Sequence, residues 1–405
     1  MSAPPSAAAV PTSRWPEILA IFLRLGCTSF GGPVAHLGFF RAEFVQRRQW
    51  LDERAYADLV ALCQFLPGPA SSQVGMALGL ARGGWAGALA AWAGFTLPSA
   101  LLLTLLALGL SAHGAGLPPG VLQGLKLVAV AVVAQAMWGM ARTLCRGPAR
   151  LAVMLASAVL LWRWGGVGMQ LAVMLGAALL GGWLWGRAGA GGLSRPEPVW
   201  TLPLGRRGGA LLLGGFALLL VLLPWLATGG PGWAVFDAFY RSGALVFGGG
   251  HVVLPLLEAE VVAPGWVPHE VFMAGYGLAQ AVPGPLFTFA AFVGASLQGG
   301  QGGVVGAALC LVAIFLPAFL LVAGALPFWT RLRRNPAAQG ALAGVNAAVV
   351  GLLLAGLLGP LGAGALQGWP DLALVLLAWA ALQWGRCPPW AVVLAGAALG
   401  GWWLG

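Results

Sequence analysis

Long apolar stretches alternate with short polar, glycine- or proline-containing breaks along almost the whole chain. Roughly thirteen of these stretches approach the ~20 residues that a helix needs to cross a bilayer. About six fall in the first half, near 16–38, 57–80, 85–111, 120–143, 149–164 and 166–186. A polar stretch from Arg187 to Arg207 follows, with Ser194-Arg195-Pro196-Glu197-Pro198 at its centre, and reads as a linker. A very apolar span near 209–228 comes next, then further spans near 233–254, 271–297, 303–326, 339–360, 371–385 and 388–404. The runs are continuous rather than alternating, which disfavours a transmembrane barrel. The pattern predicts an all-α polytopic membrane protein with about 13 transmembrane helices. Its parts are a cytoplasmic tail over 1–14, a first repeat over 15–187, a cytoplasmic linker over 188–208 and a second repeat over 209–405, led by the extra helix 209–228.

Composition supports this solvent assignment. The 405 residues are 60% hydrophobic and only 8% charged, against about a quarter charged in soluble domains. The 64 glycines and 28 prolines fit close helix approach and broken helices rather than disorder. The formal charge of +10 would suggest nucleic acid in a soluble chain, but here the basic residues sit mostly in short loops between spans. No aromatic–basic stripe or zinc spacing accompanies them. Cys27, Cys63, Cys145, Cys310 and Cys387 are scattered, with no CxxC pair, and read as packing residues. The first apolar stretch is interrupted by Arg24 and runs into Gly31-Gly32-Pro33, so no cleavable leader is expected.

The chain repeats itself. Phe22-Leu23-Arg24-Leu25-Gly26 returns as Phe239-Tyr240-Arg241-Ser242-Gly243, and Phe30-Gly31-Gly32 as Phe247-Gly248-Gly249, each 217 positions on (24 to 241, 31 to 248). Gln64-Phe65-Leu66-Pro67-Gly68-Pro69 returns 216 positions on as Gln280-Ala281-Val282-Pro283-Gly284-Pro285. Pro98 aligns with Pro317, and Gly120 and Gly124 with Gly340 and Gly344. Chance agreement in Gly/Ala/Leu-rich sequence would not preserve the arginine, the glutamine and Pro-Gly-Pro. An odd number of spans separates the matched motifs, which predicts two inverted-topology repeats, a signature of secondary transporters with a midplane site. With the N-terminus inside, most arginine-bearing loops are cytoplasmic. The exception is the loop after the first span, with Arg41, Arg47, Arg48 and Arg54, balanced by Glu43, Asp52, Glu53 and Asp58 and read as an amphipathic surface helix.

Arg24 and Arg241 lie inside apolar spans, where an arginine costs at least about 2.5–3.5 kcal/mol unless it faces a cavity or a partner. Asp237 is placed to pair with Arg241 on one helix face. Each Pro-Gly-Pro should break a span and restart a helix. A restart at Pro69 leaves the amides of Ala70, Ser71 and Ser72 unpaired, and one at Pro285 those of Leu286, Phe287 and Thr288. Two helix starts and two arginines converging would supply roughly +3, suited to a dianion. The alternative is a simple kink with snorkelling arginines. The candidate anion-binding residues are Arg24, Thr28, Gly31, Gly32, Gln64, Pro67, Gly68, Pro69, Ser71 and Ser72, with Arg241, Gly248, Gly249, Gln280, Pro283, Gly284, Pro285 and Thr288 from the second half.

Lys126 is the only lysine and lies in an apolar span, so a proton-coupling role is open for it against an interfacial one. His36, His113, His251 and His269 are dispersed and form no metal set; His251 follows the second Phe-Gly-Gly, while His113 and His269 read as loop residues.

Phe30-Gly31-Gly32-Pro33, the duplicated Pro-Gly-Pro and the two halves joined by a linker resemble the chromate ion transporter family, long-chain two-domain type, over roughly residues 15–360. Gly250 stands where the first half has Pro33, so the halves are not equivalent. The resemblance implies efflux of chromate, a sulfate mimic, from the bacterial cytoplasm across the inner membrane, driven by the proton-motive force and conferring chromate resistance, with no enzyme activity and no cofactor. The partners expected are chromate or sulfate and the lipid bilayer, not nucleic acid; a homodimer stays open. Sulfate or another oxyanion is the alternative cargo. A membrane enzyme acting on a lipid phosphate is disfavoured, because the acids lie at span ends or in loops.

Overall fold

The computed structural model describes residues 14–112, 118–186, 205–247, 249–363, 365–385 and 387–403. The expected tail, nearly all of the linker, His113 and Gly248 therefore lie outside the described residues. Those described form helices and connecting turns. In the first half these are α1 (Trp15–Thr28), α2 (Gly32–Phe40, continuing as π-helical turns over Arg41–Arg47), α3 (Glu53–Phe65), α4 (Ala70–Ala112), α5 (Pro119–Leu144), α6 (Pro148–Trp164) and α7 (Gly166–Trp185). After α8 (Arg206–Leu226) come α9 (Pro231–Leu245), α10 (Val253–Val261), α11 (His269–Ala281), α12 (Phe289–Ala295) and α13 (Gly303–Ala325). The chain ends with α14 (Trp329–Leu332), α15 (Pro336–Leu358), α16 (Pro360–Ala363), α17 (Trp369–Gln383) and α18 (Pro389–Trp403).

Among the described residues, six helices are long and apolar enough to cross a membrane, fewer than the roughly thirteen expected from hydropathy. The difference has two sources. First, α6, α17 and α18 have 17, 15 and 15 residues, short of the ~20 required. Second, the stretches 16–38, 57–80, 233–254 and 271–297 are each two short helices around a break. The first pair folds back on itself: Glu17 in the first turn of α1 meets Arg48, just beyond the π-helical turns, at 3.6 Å. The second pair does the same, since Arg82 near the end of the first arm of α4 lies 4.8 Å over the ring of Trp50, just before α3. Hydropathy cannot distinguish a crossing from a hairpin of equal length, because both bury the same apolar residues.

The 43-residue α4 is also two helices. Gly83 and Gly84 leave helical geometry (Gly84 at φ 60°), and the arms pack so closely that a Cβ on Gly79 would lie 2.3 Å from the Gly87 carbonyl oxygen. Glycine on both arms permits this backbone approach. The long second arm then packs along α1, with Gly26 against the Gly94 and Phe95 backbone.

The hairpins bring the arginine-rich loop 41–54 back to the end where α1 begins. At that same end Arg333 binds Asp58 at 2.5 Å, and Arg150 lies over the Trp185 ring. Within the loop, Arg41 pairs with Glu53 at 2.6 Å, and Arg47 and Arg48 both pair with Glu43. The Arg41 guanidinium holds the Glu53 carboxyl below the usual carboxylate range. The fold-back of α2 therefore carries this loop to the same end of the helices as Arg150 and Arg333.

Candidate anion site at the crossed helix breaks

The four breaks meet. Gly68 N–H donates to the Val246 carbonyl at 2.6 Å, and Gly284 N–H donates to the Ser29 carbonyl at 2.9 Å. Gly68 is 216 positions before Gly284, and Ser29 is 217 before Val246, so the two bonds are counterparts under the repeat. Each joins the Pro-Gly-Pro of one half to the Phe-Gly-Gly break of the other. Both glycines adopt positive φ, 117° and 106°, a region open to glycine and strained for other residues. They are also crowded: a Cβ would lie 2.9 Å from Gln73 Nε2 at Gly68 and 2.7 Å from Ser99 Oγ at Gly284. A third contact closes the junction, where Gly250 faces Leu286 and Pro33.

The prolines set the helix starts. Helix α4 begins at Ala70, directly after Pro69, and the Pro69 carbonyl accepts from Gln73 N–H at 2.9 Å. The amides of Ala70, Ser71 and Ser72 have no preceding turn to bond. The second half differs from expectation. After Pro285 the chain enters a 3-10 turn, Leu286–Thr288, before the seven-residue α12. Thr288 N–H is already bonded to the Pro285 carbonyl at 3.0 Å, and Thr288 Oγ1 donates to that same carbonyl at 2.7 Å. Thr288 is thus spent on its own turn, and the first half offers the better donor set.

Polar groups without an internal partner collect around these breaks. Among the described residues, the buried Ser29 Oγ, His36 Nε2, Ser72 Oγ, Gln73 Oε1, Thr96 Oγ1 and Gln280 Nε2 have no hydrogen-bond partner. His36 Nδ1 is 3.5 Å from Ser71 Oγ, and its ring meets Phe95 edge-on. Gln73 Nε2 donates to the Pro67 carbonyl at 2.8 Å, and Ser99 Oγ donates to the Thr96 carbonyl at 3.0 Å. Buried polar groups are nearly always paired, so this group of residues is the candidate for contact with a bound ion or water.

The arginines separate. Arg241 binds Asp237 at 2.5 Å and Glu260 at 3.3 Å, so two carboxylates neutralise it and the expected tally of roughly +3 does not assemble. Arg24 is exposed on α1 and has no carboxylate partner among the described residues. The repeat explains this: the position matching Asp237 is Ala20, and the residue matching Glu260 is Glu43, which Arg47 and Arg48 engage. Thr28 is exposed and donates to the Arg24 carbonyl at 2.8 Å. Gln64 is exposed one turn before Pro67. Gly31, Gly32 and Gly249 have positive φ at their breaks, and Pro283 lies at the second Pro-Gly-Pro break with Gly284. Lys126 is away from the breaks. It pairs with Glu270 at 3.0 Å in a separate pocket with Gln123 and Asp371.

Ser29, His36, Gln73, Thr96 and Ser99 were not predicted. Ser29 adjoins Phe-Gly-Gly and Thr96 and Ser99 flank Pro98, so proximity to a helix breaker was the available signal.

The family model for chromate transporters matches residues 16–183 and again 233–401. The chain belongs to the chromate transporter family. The two matches contain all four breaks and leave out α8. The chain is 31% identical to a chromate transport protein of Pseudomonas aeruginosa over 363 residues, covering 85% of this chain and 80% of the relative. It is 28% identical to a chromate transport protein of Cupriavidus metallidurans over 353 residues, covering 85% and 82%. An uncharacterized transporter of Bacillus subtilis, YwrA, is 33% identical over 122 residues, covering 30% of this chain and 66% of the relative. No solved structure matches the chain. Family and apolar helices together make this a multi-pass membrane transport protein rather than an enzyme.

Proposed function

We propose that this protein exports chromate from the bacterial cytoplasm across the inner membrane, as a secondary transporter driven by the proton-motive force, and so confers chromate resistance. The reciprocal hydrogen bonds between the breaks, Gly68 to Val246 and Gly284 to Ser29, carry this reading. They join the helix starts of both halves, beside unpartnered hydroxyls of the first half and the Gln280 side-chain amide of the second. A tetrahedral dianion needs several fixed donors to replace its hydration, and backbone and hydroxyl donors held by helices supply them without reordering. Arg24 is the cation with capacity left for the anion, and Arg241 holds its own hairpin closed.

The two repeats, 15–187 and 209–405, sit inverted in the bilayer in this reading. In support, the first-half hairpins open at the arginine-rich end. Between them and the second-half hairpins lie the second arm of α4, α5, α6, α7 and α8; with the 17-residue α6 counted as a crossing beside the four longer helices, the set is odd. With the arginine-rich end in the cytoplasm, the positive-inside rule is obeyed. Inverted repeats crossing at their breaks suit alternating access, because rocking one half against the other opens the same site to either side.

Labelled chromate uptake by everted vesicles, with and without an uncoupler, tests the reading. Uptake that the uncoupler abolishes is expected, with sulfate competing because its size and charge are similar. Uptake unaffected by the uncoupler contradicts the coupling, and no uptake contradicts the cargo.

A further inference from the structure

Helix α10 carries Glu258 away from the crossed breaks, on the wall of a cavity of about 620 Å³. The wall is otherwise largely apolar, with Trp162, Pro255 and Leu352, and its polar members besides Glu258 are Gln170 and His269. The Glu258 side chain is 7% exposed. His269 Nδ1 lies 3.2 Å from Glu258 Oε1, close enough for an ion pair but not aligned as a hydrogen bond. Oε1 and His269 Nε2 have no hydrogen-bond partner among the described residues. A carboxylate so buried is costly unless it is paired or neutralised, and a proton shared with the adjacent imidazole does both. Chromate would not settle here, because Glu258 repels it.

The neighbouring charged groups are already engaged. From α9, Arg241 binds both Asp237 on its own helix and Glu260 of α10. From the turn before α10, His251 Nδ1 lies 2.8 Å from the Tyr276 hydroxyl. On α11, beside His269, Glu270 pairs with Lys126. Helices α7 and α15 also pack on α10 and contain no titratable side chain. Glu258 and His269 are left as the neighbouring pair whose carboxyl and ring atoms lack a hydrogen-bond partner among the described residues. Helix α10 follows directly on the 3-10 turn Gly250–Val252, and Gly250 faces Leu286 and Pro33 at the junction, so the helix that carries Glu258 is rooted beside the candidate anion site.

We propose that Glu258 and His269 form the proton-binding site of the transport cycle, distinct from the anion site and joined to it by α10. This rests on the coupled-transport reading above. A hydronium ion in the cavity gives its proton to the pair and leaves as water; the proton later returns to water as hydronium on the other side.

The test uses the full chain in proteoliposomes with a trapped pH dye. Chromate exchange at equal concentrations needs no net proton movement, whereas proton movement driven by a chromate gradient does. Glu258→Gln should keep exchange within about two-fold of wild type and lose proton movement about ten-fold or more, in the usual range of coupling free energies. His269→Gln should separate the two assays in the same direction, and it decides the matter if Glu258→Gln does not assemble. Proton movement retained in these variants overturns the inference, and so does equal loss of exchange and proton movement. Wild-type protein that exchanges chromate without moving protons overturns this inference alone. Wild-type protein that exchanges no chromate overturns the transport reading and the inference with it.

Discussion

Gly68 donates its amide hydrogen to the carbonyl of Val246, at 2.6 Å, across the boundary between the two homologous halves. Gly284 repeats the bond to Ser29 at 2.9 Å. In a membrane, a broken helix persists where other protein groups satisfy the freed backbone. Here each half satisfies the other. The bonds therefore tie the conformation of one break to that of its partner, which is what a transporter needs if both halves are to release an anion together.

Gly68→Ala and Gly284→Ala should each abolish most transport while the protein still inserts. A methyl group at positive φ costs about 1–3 kcal/mol, and each would press on Gln73 or Ser99. Transport per unit of protein in vesicles should fall about ten-fold or more, the equivalent of ~1.4 kcal/mol. Immunoblotted membrane levels should stay near wild type.

The two arginines should part company. Arg24→Lys keeps charge but loses the planar fork that grips an oxyanion, so chromate affinity should drop with thermal stability unchanged. Arg241→Met should do the reverse, because it strands Asp237 and Glu260; breaking such a partly buried group costs about 3–5 kcal/mol at the upper end. Thermal melting and chromate binding on the same purified samples read both effects.

Ser72→Ala should weaken chromate binding several-fold, in line with about 1 kcal/mol for one hydrogen bond. It should not lower the melting temperature, because the hydroxyl has no internal partner to lose. A structural hydroxyl would show the opposite combination.

Single cysteines at Gln46 and Ala263, in a chain without other cysteines, should label from opposite sides of the membrane. Both positions are exposed, one beyond α2 and one beyond α10. Labelling from the same side contradicts inverted repeats.

Much of this was readable beforehand. Pro67-Gly68-Pro69 announced a break because proline cannot sit comfortably in mid-helix, and its copy at 283–285 announced that the break mattered. Asp237 was readable as the partner of Arg241 because four residues span one helical turn. Glu260 was not, since it comes from another helix after a fold-back that hydropathy does not record. Gln73 and Thr96 were hidden for a related reason: a single polar residue in an apolar helix looks the same whether it lines a site or snorkels. The role of Thr288 was misread because a 3-10 turn and an α-helical start have similar sequence, yet the first consumes the amide that the second leaves free.

In the proposed reading the crossed breaks hold the anion. Equilibrium binding of chromate to the purified protein tests it most directly, comparing wild type with Pro67→Ala/Gly68→Ala and with Pro283→Ala/Gly284→Ala. Alanine is strained at the positive φ of Gly68 and Gly284, so each break loses the turn that holds its helix start at the junction, although Pro69 and Pro285 still interrupt the helix. Both variants should stay folded, by melting and by elution as a single species, and bind chromate about ten-fold more weakly or worse, ~1.4 kcal/mol or more. Folded variants with wild-type affinity would contradict it and put the anion elsewhere in the protein.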